Sequence, residues 1–145
     1  MISRFLTFSL IFSLTLTVSA QTRVVIQSVD KSPLFDKTQA PSRLRPKWSK
    51  FGDSNGARKT GEKFDVRWSS DSPLPAGASA VFRYRQKKDP ENVRSLTVTY
   101  PMPISGLRVP TFTIGEKSFR SFGPVVWWEV SILSRGKALV RAEQP

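Results

Sequence analysis

The chain contains no cysteine and no histidine among its 145 residues. Without thiols it cannot form a disulfide, build a thiolate metal site or use a cysteine nucleophile. It also lacks the cysteine that a lipid-anchored bacterial lipoprotein carries at its cleavage site. Without imidazole it has neither the commonest general base near neutral pH nor the commonest metal ligand. Ser-His-Asp, Cys-His and zinc-hydrolase constellations are therefore excluded within this chain alone. Negative charge is scarce too, with 11 Asp+Glu against 23 Lys+Arg. The acids are scattered, and none stands at an apolar strand position where burial would raise its pKa. Glu129 comes closest, between Trp128 and Val130, but alternation points it outward. Solvated acids are expected throughout. Two facing carboxylates still suffice for a glycosidase, so a carbohydrate-active module or small carboxylate-dependent hydrolase is the alternative class. No motif points to Ser-Lys chemistry. The segment Gly52-Asp53-Ser54-Asn55-Gly56 lacks the acid spacing of a calcium loop and reads as a turn. The expectation is a protein that is not an enzyme and holds no metal and no cofactor.

Long apolar runs are also missing, with one exception at the start. Met1-Ile2-Ser3-Arg4 opens with a positive charge, Phe5 to Val18 is apolar apart from Ser and Thr, and Val18-Ser19-Ala20 supplies small residues for cleavage. These three parts read as a secretory signal peptide over residues 1–20. The run is too short to span a bilayer comfortably and has no stop-transfer flank. The mature chain, 21–145, is then a single domain with no transmembrane segment, in the periplasm, at the cell surface or in the medium.

What is abundant is positive charge. The formal net charge is +12, and only Arg4 of the cations lies in the leader. An exported protein this basic is drawn to anionic surfaces, whether phospholipid, cell-wall polymer, acidic glycan or, through charge alone, nucleic acid. Solvating charge that only maintains solubility is the other reading.

Turn residues punctuate the mature chain, and the segments between them alternate with period two. Phe64, Val66 and Trp68 share one face while Lys63, Asp65 and Arg67 share the other. The same alternation runs through Ala80, Phe82 and Tyr84, through Leu96, Val98 and Tyr100, and through Val126, Trp128, Val130 and Ile132. These are strands with one buried and one wet face. Seven are expected, at about 23–29, 62–69, 79–86, 93–100, 107–114, 125–133 and 137–142, with no long helix. Pro110 bends the fifth or confines it to an edge. Ser134-Arg135-Gly136 reads as a short hairpin loop with Gly at a positive φ, and Lys87 to Asn92 as a polar loop. Seven short antiparallel strands predict an all-β, immunoglobulin-like sandwich. A small closed barrel is the alternative. Trp68, Phe82, Tyr100 and Trp128 are the expected centre of the core. Residues 30–60 form a long loop, with a short strand near 47–51.

Three groups of residues are candidates for binding. Arg43, Arg45, Lys47, Trp48 and Lys50 mix cations with an aromatic face, suited to phosphate, carboxylate, sugar or base. Trp48 and Phe51 pinning the loop to the sandwich is the alternative. Arg83, Arg85, Lys87 and Lys88 run off one strand face into a loop tip. Charge guarding an edge strand explains them equally well. Trp127 should face out if Trp128 faces in, because neighbours on a strand point opposite ways.

The order of segments in the C-terminal half carries a likeness. Phe82-Arg83-Tyr84 is followed by Leu96 to Tyr100, Ile104-Ser105-Gly106, Phe112-Thr113-Ile114, Trp128-Glu129-Val130, Gly136-Lys137 and Leu139-Val140. This succession resembles the small exported immunoglobulin-like, pilus-like proteins of Verrucomicrobia and related bacteria. Pro46-Lys47-Trp48 matches a Trp-containing segment before their first core strand. The likeness spans about residues 46–140 and rests on pattern and order. It implies one sandwich behind a signal peptide and an association with type IV pilus gene clusters, and it supplies no catalytic residue. The chain lacks a type IV pilin's retained apolar helix with its early Glu, so an accessory or surface role is implied rather than a filament subunit.

Overall fold

A computed structural model describes residues 22–36 and 58–144. They form eight strands and one short helix: β1 Val24–Phe35, β2 Lys59–Leu74, β3 Ser79–Gln86, β4 Asp89–Thr99, β5 Ile104–Arg108, β6 Thr111–Ile114, α1 Glu116–Phe122, β7 Val125–Ser134 and β8 Lys137–Gln144. One sheet is ordered β1-β2-β5, with β6 pairing further along the same side of β2. The other is ordered β4-β3-β7-β8. Every pairing is antiparallel.

The alternation read from the sequence sets the inner faces. Phe64, Val66 and Trp68 of β2 are buried against Ala80, Phe82 and Tyr84 of β3 and Val130 and Ile132 of β7. Phe82 is the hub. Its ring lies 4.7 Å from Phe64 and 5.2 Å from Phe112 on the opposite sheet, and 5.8 Å from Tyr84 and 6.3 Å from Trp128 on its own. Tilted and stacked aromatics at these spacings fill the space between sheets without a disulfide. Of the four expected core residues, Trp68 and Phe82 are buried. Tyr100 and Trp128 are half-buried at the margin, packed against the core. Tyr100 meets Trp68 edge-on at 5.9 Å, and burial pushes its phenol above the ordinary range.

Several boundaries differ from expectation, each for a physical reason. The strand expected over 107–114 is two strands. Pro110 cannot donate to the ladder, so β5 ends and β6 begins around it, while its carbonyl accepts from Val66 N at 3.0 Å and keeps β2 satisfied through the break. β1 continues past Val29 to Phe35 because β2 starts early, at Lys59, and offers it partners down to Lys59. Pro33 is tolerated because β1 is an edge strand. The long connection is thus shorter than 30–60, and its residues 37–57, including the expected strand near 47–51, lie outside the described residues. The loop expected over 87–92 is a tight turn at Lys87-Lys88, and β4 begins at Asp89. The turn N–H groups are taken by the end of the helix: Lys87 donates to Pro124 O and Lys88 to Phe122 O, both at 2.9 Å. The β7–β8 hairpin turns on Arg135 (φ 50°) and Gly136 (φ 75°), as two successive positive φ values in a two-residue loop require.

Among the described residues no helix is long and apolar enough to cross a membrane. The one helix, α1, bridges β6 to β7.

Candidate functional site

The outer face of the β4-β3-β7-β8 sheet gathers the second candidate cluster. Arg83 and Arg85 project from β3, whose in-register partners on β7 are Glu129 and Trp127. The Arg85 guanidinium lies 5.1 Å from the centre of the Trp127 ring. Trp127 is therefore half-buried under a cation rather than bare, and the pair forms one flat, positively charged surface. Arg141 of β8 closes the other side.

Between these cations sits Glu129. It faces outward as alternation predicts, but it is not solvated: its side chain is 8% exposed. Arg141 approaches one carboxylate oxygen at 3.3 Å and Arg83 the other at 3.7 Å, the latter beyond hydrogen-bond reach. Glu143 stands directly opposite on β8. Two acids facing across a ladder repel, and the flanking guanidiniums offset that repulsion. Glu143 is exposed, so this is not a buried pair of acids.

The rest of the second cluster lies at the end of the same sheet. β3 is an inner strand, between β4 and β7, so Arg83 and Arg85 do not guard an edge. Lys87 and Lys88 are exposed in the β3–β4 turn, and Lys88 Nζ reaches Arg120 O of α1 at 3.5 Å. Beneath them is a polar knot the sequence did not announce. Gln86 is fully buried. Its amide donates to Gly123 O at 2.7 Å and Ser118 O at 3.3 Å, and its oxygen accepts from Arg94 at 3.0 Å and Ser118 Oγ at 2.9 Å. Arg94 also pairs with Asp89 at 2.5 Å and lies 3.6 Å from the Phe122 ring centre. The knot fixes α1 against the sheet and holds the Lys87-Lys88 turn in place. The first cluster, Arg43, Arg45, Lys47, Trp48 and Lys50, lies outside the described residues.

The sequence reading also missed a buried acid at the same end of the sandwich, on the other sheet beside α1. Glu62 of β2 is 1% exposed. Lys59 reaches it at 2.8 Å and Lys31 at 3.2 Å, and Val125 N donates to it at 2.8 Å. Burial pushes its carboxyl up, but the Lys59, Val125 and Lys31 contacts together outweigh burial and hold it below the ordinary carboxylate value. The available signal was phase: Glu62 falls on the same face as Phe64, Val66 and Trp68. Asp65 is held low by hydrogen bonds from Lys63 and Thr111, and Asp71 by Ser72 and the Arg23 N–H. Among the described residues no group of three or more acids gathers where a metal ion could be held.

Comparison with family models, with curated proteins and with solved structures found no match.

Proposed function

We propose that the protein is an exported, non-enzymatic interaction module of immunoglobulin type. Its basic outer face on the β4-β3-β7-β8 sheet meets an anionic cell-envelope polymer or an acidic protein partner, in adhesion or pilus-associated assembly. The observation that carries this reading is the Arg85–Trp127 stack flanked by Arg83 and Arg141 on one flat face. A flat cationic face with an aromatic plate suits an extended anionic partner rather than an enclosed substrate.

Strand order supports the fold-type part. Lettered in chain order, with β5 and β6 together as strand E, the sheets read A-B-E and C′-C-F-G. Immunoglobulin-type sandwiches place C, F and G together in the same way. Export is supported by the three-part leader, and the pilus association by the resemblance over about residues 46–140. The buried acids favour interaction over hydrolysis. Glu62 and Glu129 each sit between two cations. At Glu62 the contacts hold the carboxyl low, which suits charge balance and not proton donation.

The test is adsorption to phosphatidylglycerol vesicles and to polyglutamate across a salt series. Three variants of residues 21–145 each replace three cations by Gln, so net charge is matched. The first carries Arg85, Lys87 and Lys88, the second Arg43, Arg45 and Lys47, and the third Arg23, Arg67 and Arg108 on or beside the other sheet. The first should lose more adsorption than the third, and a loss in the second as large as in the first would add the Arg43–Lys47 group to the binding surface. Equal losses in all three would mean generic attraction with no site. Adsorption indifferent to salt would remove electrostatics as its basis.

A further inference from the structure

β4 is an edge strand, and half of its edge is unguarded. Tyr100 donates to Ala78 O and accepts from Gly77 N, both at 2.8 Å, so its backbone groups point toward β3. In an antiparallel ladder this direction alternates. Leu96 and Val98 therefore also face β3, while Ser95, Thr97 and Thr99 turn N–H and C=O outward, where no strand among the described residues pairs with them. From Ser95 to Thr99 the strand carries no charge, no proline and no register shift. The other edges are all interrupted. β1 is bulged between Ile26 and Ser28 and then carries Asp30, Lys31 and Pro33, β8 has Lys137, Arg141 and Glu143, and β5–β6 is broken at Pro110. Natural sheets use such devices to prevent unplanned pairing. Their absence over five residues of one edge marks a place where pairing is intended.

We propose that Ser95–Thr99 of β4 accepts an extended acidic segment of a partner protein as an added strand, with Arg83 receiving a carboxylate from it. Three observations select this occupant. The open stretch matches the length of one ordinary strand, about 5–6 residues. A second copy would bring two chains of formal charge +12 together along those few residues, well short of the roughly 1,000 Å² that a stable interface buries. Arg83, finally, is in register with Ser95 and its side chain is 55% exposed. Its contact with Glu129 is beyond hydrogen-bond reach, and Ser95 is small enough to let the guanidinium pass over it. Neighbouring strands lie about 4.8 Å apart, so an added strand would be about 10 Å from β3, within the combined reach of Arg and Glu side chains.

The proposal rests on the interaction reading above and names a partner class for the same sheet. Its test uses residues 21–145 labelled with 15N and a soluble nine-residue peptide of alternating Val and Glu. Saturating peptide should slow hydrogen exchange at the Ser95, Thr97 and Thr99 amides. The same peptide N-methylated at alternate residues should not bind. A Val–Lys peptide should bind at least about tenfold more weakly, and Arg83→Gln should weaken the Glu peptide by a similar factor. Thr97→Pro removes an N–H that makes no internal bond, so it should fold with an unchanged circular dichroism spectrum and lose peptide binding. Thr97→Lys is a second variant that leaves the backbone intact and guards the edge. Unchanged exchange at the three amides, or equal binding of the Lys and Glu peptides, would overturn the proposal. So would amides already protected in a protein that sediments as a dimer, since the occupant would then be a second copy. If the peptide fails while salt-sensitive adsorption with a site persists, only the edge proposal falls.

Discussion

Glu62 shows how one residue can be misplaced by composition and placed by phase. A carboxylate beside Phe64 reads as a solvated strand end, because most acids are solvated. Period two puts it inside instead, and two lysines and a backbone N–H make that position tenable. The lysines are partly exposed, so on loss of the acid they return to water. Glu62→Gln should therefore cost only about 1–2 kcal/mol at pH 7, less than breaking a fully buried pair. The sign of the pH dependence follows. Because the folded carboxyl is held below the unfolded value of 4.5, the unfolded chain takes up the proton first as pH falls. The stabilisation is whole above that value and is lost as pH drops through the lower folded value. Urea unfolding at pH 7 and at pH 3 checks this. The gap between wild type and Glu62→Gln should shrink at pH 3, while Asp65 and Asp71, held low in the same direction, leave both proteins acid-sensitive. A gap that stays constant would mean the carboxylate's charge contributes nothing.

At the scale of elements, what depends on alternation was legible and what depends on register was not. The faces of β2 and β3, β7 from Trp128 onward and the Arg135-Gly136 hairpin follow from local pattern alone, whereas a bulge opposite Arg85-Gln86 turns Val125 inward and leaves the expected core residue Val126 exposed. Phe82, with ring contacts to both sheets, should cost about 3–5 kcal/mol on truncation to Ala. Trp128 is half-buried, though it stacks on Phe82 and donates from Nε1 to Gln144 at 2.7 Å. Its truncation should fall at about 3 kcal/mol, the low end of the same range. Trp127→Ala should cost about 1 kcal/mol, the worth of its exposed cation stack and margin packing. Chemical denaturation orders the three, and Trp127 equalling Phe82 would contradict the strand phase. The helix α1 was illegible for a different reason. Its seven residues are too few to display helical spacing, and no residue of it is buried. Gln86, far from it in sequence, holds it. Gln86→Leu strands the partners at Arg94, Ser118 and Gly123 and should cost about 2–3 kcal/mol. Hydrogen exchange should quicken across residues 116–124 and stay slow in β3. Uniform loosening would mean the knot is not what holds the helix. The partners of Glu129 were equally out of view, since Arg83 and Arg141 meet it only once β3, β7 and β8 are aligned.

The whole molecule joins a sandwich held by aromatic packing to a surface charge far from neutral. The charge excess was plain in the sequence, but its placement was not. Arg83, Arg85 and Arg141 come from strands separated by as many as 58 positions in the chain, and antiparallel pairing brings them to one face. The central claim is that this face, and not the charge as a whole, does the binding. Titrating 15N-labelled residues 21–145 with polyglutamate tests it most directly, because each indole N–H gives its own resonance. The account predicts that the Trp127 indole and the backbone amides of Arg83, Arg85 and Arg141 shift together and saturate, while the indoles of buried Trp68 and inward-facing Trp128 stay still. Small shifts spread over both sheets, with Trp127 no different from Trp68, would contradict it.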